Sequence, residues 1–98
     1  MYAVVNHMTL SRPLDNDIIG RMNSELMSNI AKMPGVANAA CVQVADDRIV
    51  VVVICESEEF LERVHQEVGL PWVRENLKPY LASTDRKVGP VIARPQNL

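Results

Sequence analysis

The chain has 98 residues, ten basic and twelve acidic, for a formal charge of −2. That length makes a single domain, residues 1–98, which buries about 60–65% of its unfolded surface and gains from a partner subunit. The charge balance gives no footprint for nucleic acid or an anionic membrane, no apolar stretch approaches the ~18 residues of a membrane span, and the N-terminus lacks a secretory pattern, so a cytoplasmic protein is expected.

The opening MYAVVNHMTL reads as a strand, where neighbours point to opposite faces, so Asn6 and His7 belong to different faces. Asn6 shares parity with Tyr2, Val4 and Met8. A buried amide needs partners for its donors and its acceptor, so Asn6 either braces the backbone or points into a pocket. His7, on the parity of Ala3 and Val5, reads as an interface residue. SRPLDND interrupts the strand, and Asp15 or Asp17 caps a helix carrying Ile18, Ile19, Met22, Leu26, Ile30 and Met33 at the helical period. MPGV stops it.

Residues 36–45 and 48–55 are rich in Val, Ala, Ile and Cys, and Asp46-Asp47 between them makes a hairpin turn. With that turn Cys41 lies opposite Val52 and Cys55 opposite Asn38, which argues against a disulfide and for two reduced, packed thiols. Ser57 caps a second helix with Phe60, Leu61, Val64 and Val68 on one stripe; Gly69 ends it and Pro71 opens another. In PWVRENLKPYL, Trp72, Asn76 and Tyr80 form one i, i+4 ladder and Val73, Leu77 and Leu81 a second. KVGPVIA is the last strand, and residues 94–98 form a flexible polar tail.

This order predicts an α+β, ferredoxin-like βαββαβ fold with a four-stranded antiparallel sheet. The third strand is apolar on both faces, with Ile49, Val51 and Val53 on one and Val50, Val52 and Ile54 on the other. Helices cover one face only. The other is expected to pack against a second copy, giving a homodimer joined sheet to sheet.

Several chemistries lack their residues. There is no C-x-x-C loop for metal transfer, no aromatic pair on the central strands for RNA, and no G-x-x-x-x-G-K, G-x-S-x-G or H-E-x-x-H motif. No metal site is expected. His65 falls on the edge of its helix's apolar stripe, where a surface role competes with service as a haem ligand. Trp72, the only tryptophan, either fills the core or walls a ligand cavity. Arg74, Glu75 and Lys78 read as the solvated side of the helix, with Arg74 gaining a role if that helix lines a cavity.

The segments MYAVVNHMTL, SEEFLERV and PWVRENLKPYL, with the VGPV ending and the two-faced strands, resemble the dimeric α+β barrel superfamily over residues 1 to 93. Within it the chain is most similar to the antibiotic biosynthesis monooxygenase-like group. The resemblance implies two ferredoxin-like subunits packed sheet to sheet, each with a cavity between sheet and helices. It also implies one of two activities, cofactor-free oxygenation of phenols to quinones or oxidative haem breakdown. Asn6 matches the first-strand asparagine of the haem-degrading branch, but the tryptophan and histidine positions of that branch fall near Val64 and Arg74. Oxygenation of a small aromatic or hydrophobic metabolite without a cofactor is therefore the expectation. Asn6 and Trp72 are the catalytic candidates, and Tyr80, Arg74 and His65 further substrate contacts. The alternative is a non-catalytic dimeric module that binds a small molecule or serves a structural role.

Overall fold

A computed structural model of the protein describes residues 1–95. The residues of the expected tail from 96 onward lie outside the described set. Four strands form one antiparallel sheet in the order β2-β3-β1-β4: β1 is Tyr2–Leu10, β2 Val36–Ala45, β3 Arg48–Cys55 and β4 Leu81–Pro90. This is the predicted α+β, ferredoxin-like arrangement, with both helical crossovers on one face. Asp46 and Asp47 make the tight turn between β2 and β3.

The first crossover is continuous: α1 (Asn16–Arg21), a π-helical turn (Met22–Met27) and α2 (Ser28–Ala31). Asp15 caps it, accepting a hydrogen bond from the Ile18 amide at 2.9 Å. Gly35 ends the crossover at φ +81°, the left-handed region that favours glycine, and a Cβ there would run into the Phe60 ring. The second crossover runs through α3 (Glu58–Val64), a π-helical turn (His65–Gly69) and α4 (Leu70–Asn76). Ser57 caps it, accepting from the Phe60 amide at 3.3 Å.

The expected break at Gly69 is corrected. Gly69 stays helical (φ −64°, ψ −56°), and the chain widens the turn instead of stopping. Pro71, two residues on, has no N–H to return to the carbonyl four residues back, so a regular α-turn there would be short of one bond in any case. The end of α4 is also earlier than the ladder implied. Lys78 precedes Pro79, which disfavours helical backbone, so α4 closes at Asn76 and Tyr80 lies in the turn before β4. That lets β4 begin at Leu81, taking in the polar ASTDR that an apolar-run criterion leaves out.

Register bulges correct the cysteine pairing. Shifts between Val36 and Asn38 and between Gln43 and Ala45 bring Cys41 opposite Val51 and Cys55 opposite Val36. Both cysteines are free thiols. The core fills the space between sheet and helices, with Met8, Ile49, Val53 and Cys55 from the strands against Ile18, Leu26, Ile30, Leu61 and Leu77. The opposite sheet face carries Val5, Val50, Val52, Ile54 and Val42, and Val42 stands half exposed. No described helix is long and apolar enough to cross a membrane.

Candidate functional site

Strand alternation decides what β1 offers to the helices. Val4, Asn6 and Met8 face them and line a cavity of about 620 Å³, while His7 is exposed on the other face, opposite Val50 and Asp85. Leu26 and Ile30 from the first crossover and Leu61 and Val64 from α3 make the apolar wall. The volume is within the range of small-molecule sites, and such sites pair an apolar lining with a few placed polar groups.

Those polar groups converge from three elements. Asn6 pairs directly with Arg86 of β4, and both line the cavity. Asn6 Oδ1 and Arg86 Nη2 are buried, and neither has a hydrogen-bond partner among the described residues. The acid nearest to Arg86, Glu62 Oε2, is 3.9 Å from Nη2, beyond hydrogen-bond reach. An unpaired buried polar atom costs about 1–3 kcal/mol, so two of them side by side in one floor are a place where added hydrogen bonds would stabilise the protein.

His65 enters from the π-helical turn. A wider turn steps by five residues rather than four, which keeps His65, Leu70 and Arg74 on the cavity side of one continuous helix. Burial lowers the His65 pKa from its ordinary 6.5; the charges of Arg86 and Arg74 lower it further, and Glu62 partly opposes them. His65 is therefore a neutral imidazole at pH 7, able to take a proton. Lys78 and Arg74 stand exposed at the rim of the cavity.

Asn6, His65 and Arg74, three of the five residues singled out in the sequence, come together here. Trp72 and Tyr80 do not line the cavity, and for both the expectation is corrected. The Trp72 indole N–H donates to Glu25 Oε1 at 3.0 Å, and Glu25 in turn accepts from Arg21 Nε at 3.2 Å, which clamps α4 to the first crossover. Asn76 Nδ2 donates to the Trp72 carbonyl at 3.0 Å, and Arg21 also reaches Asn76 Oδ1. Tyr80 Oη donates to Asp15 Oδ2 at 2.8 Å with the Arg12 guanidinium 4.4 Å above its ring, fastening the turn before β4 to the cap of α1. Both aromatics pack elements together.

Arg86 and Lys78 escaped the sequence reading. Arg86 fell one residue before the expected start of the last strand, although its parity with Val88 would have put it on the helix-facing side. Lys78 was grouped with the solvated helix face. Burial pushes the Cys41 thiol up to about 11, away from the thiolate that a nucleophile needs. No group of three metal-ligating side chains occurs among the described residues.

No protein-family model matches the chain, and no curated protein sequence matches it significantly. Solved structures do match in fold. SnoaB, a cofactor-independent oxygenase from Streptomyces nogalater, is 12% identical with a TM-score of 0.74, covering 98% of this chain and 97% of its own. MhuD, solved with two manganese protoporphyrin IX molecules per active site, is 12% identical with a TM-score of 0.70, covering 99% and 100%. A dimeric ferredoxin-like protein from an uncultured marine organism is 15% identical with a TM-score of 0.70, covering 98% of each chain. The chain shares the ferredoxin-like α+β fold of these solved structures.

Proposed function

We propose that the protein is a homodimeric oxygenase-like protein that takes a small hydroxylated aromatic molecule into the cavity between sheet and helices and oxidises it with dioxygen alone. The observation that carries this reading is that His65, its pKa lowered by burial, lines the same largely apolar cavity as the unpaired atoms of Asn6 and Arg86. Neutral His65 removes the proton that ionises the phenol and its benzylic carbon. Asn6 Oδ1 accepts from a substrate hydroxyl, and Arg86 pairs with an anionic oxygen of the substrate. The carbanion passes one electron to O2, the radical pair joins as a C–OO⁻ group that takes the proton back from His65, and loss of water from the resulting hydroperoxide leaves a quinone carbonyl. One O2 enters, one oxygen atom stays in the product and the other leaves as water. An apolar surround protects the carbanion from protonation.

The second sheet face supports the dimer, since Val5, Val50, Val52 and Ile54 would otherwise face water together. Light scattering should give twice the monomer mass. Oxygen uptake with an anthrone as substrate tests the chemistry. Wild type should exceed buffer, and His65→Ala and Asn6→Ala should return the rate toward it. Equal rates in all samples leave the non-catalytic module as the better reading.

A porphyrin is the second reading, favoured by His65 as the one imidazole on the cavity wall. His65 would hold the metal, and Arg74, Lys78 and Arg86 the carboxylates. Such a group supplies dioxygen activation when bound. Haemin titration separates the two readings: the cofactor-free one expects no His65-dependent Soret shift.

A further inference from the structure

The charge around the cavity is one-sided. Arg74, Lys78 and Arg86 line it, and no Asp or Glu does, in a chain whose acids outnumber its bases. Arg74 and Lys78 have no ion-pair partner among the described residues, whereas Arg21, Arg63 and Lys87 each do. Arg86 is the deep member, its side chain 27% exposed, and its buried Nη2 lacks an acceptor. Directly across the strand pair, Asn6 leaves an acceptor unmet.

Glu62 stands 3.9 Å from Arg86 Nη2 without making a hydrogen bond, so the guanidinium still gains from a closer partner in a largely apolar cavity, and guanidinium groups match planar carboxylates in two-point contact. The two unmet atoms ask for different things. The Arg86 donor carries positive charge and favours an anionic oxygen, and the Asn6 acceptor takes a donor such as a hydroxyl. From this we infer that the substrate is an aromatic hydroxy acid, its carboxylate seated on Arg86, its neighbouring hydroxyl donating to Asn6 Oδ1, and its ring against Val4, Met8, Val53 and Leu61. Arg74 and Lys78 at the rim draw the anion in. The inference rests on the cavity reading proposed above and narrows its ligand class.

Calorimetric titration with 3-hydroxy-2-naphthoate and its neutral amide, 3-hydroxy-2-naphthamide, tests it. Wild type should bind the carboxylate at least about tenfold more tightly, the discrimination expected of a charge-assisted hydrogen bond. Raising the salt concentration should reduce that preference, because the rim cations are exposed. Arg86→Gln should abolish it, so that the two probes bind alike. Arg74→Gln, at an exposed position, should halve it or more without touching the fold, and serves if Arg86→Gln does not fold. Equal binding of both probes by wild type overturns the hydroxy-acid assignment and leaves the cavity standing. Binding of neither overturns both.

Discussion

Asn6 and Arg86 face each other across β1 and β4, and each holds a buried polar atom that nothing among the described residues satisfies, Oδ1 on one and Nη2 on the other. Folding tolerates such atoms only where another requirement outweighs the loss. The proposed ligand would supply that requirement by pairing both atoms.

Replacing Asn6 with leucine, similar in shape but apolar, removes the unmet acceptor. Stability should rise by about 1 kcal/mol in denaturant unfolding, while ligand binding is lost. A loss of stability would instead show Asn6 bracing the fold.

Trp72→Phe separates the two aromatic roles. It keeps a ring but deletes the bond to Glu25, so the thermal midpoint should fall while affinity for the naphthoate probe stays the same. A large loss of affinity would return Trp72 to the cavity.

Gly69 is helical and lines the cavity, and a Cβ built there meets only the Val64 carbonyl, at 3.7 Å. Gly69→Ala should therefore stabilise the protein by about 0.5–1 kcal/mol, and Gly69→Leu should fill the cavity and block binding. Chemical denaturation and titration read the two effects separately.

Two kinds of pH dependence follow from opposite protonation behaviour. His65 binds its proton less readily in the folded protein than at its ordinary 6.5, so the folded state holds fewer protons just below that pH. Its contribution to stability therefore declines as pH falls below 6.5, and the rate should fall as the imidazole protonates, on a limb below pH 6.5. The ligand carboxylate, by screening Arg86 and Arg74, should move that limb upward. Asp15 is held below 3.8, chiefly by the Ile18 amide and then Tyr80, and Glu25 below 4.5, chiefly by Arg21 and then Trp72. Depressed carboxylates stabilise the fold above their unfolded values, and that contribution is lost as pH falls through the folded ones. Acid unfolding curves of Asp15→Asn and Glu25→Gln should be flatter below pH 4.5 than that of wild type.

Strand parity made the fold and half of the site readable. It separated Asn6 from His7 and exposed the two-faced third strand, both consequences of a period of two that needs no tertiary knowledge. Three features depended on events that local pattern does not encode. The π-helical turn at His65–Gly69 rotates the helix so that His65, Leu70 and Arg74 share the cavity side, whereas a glycine beside a proline reads as a break. The bulges of β2 shift the partner of Cys41 by one residue and that of Cys55 by two. Trp72 resembled a cavity wall because its partner, Glu25, is 47 residues distant in sequence.

Side-chain NMR during titration with 3-hydroxy-2-naphthoate addresses the cavity assignment most directly, because the single tryptophan supplies an internal control. The Asn6 amide, the Arg86 Nε–H and the His65 ring signals should shift together and saturate at one affinity, while the Trp72 indole N–H stays in place. Movement of the Trp72 signal with Asn6, Arg86 and His65 unchanged would contradict the assignment.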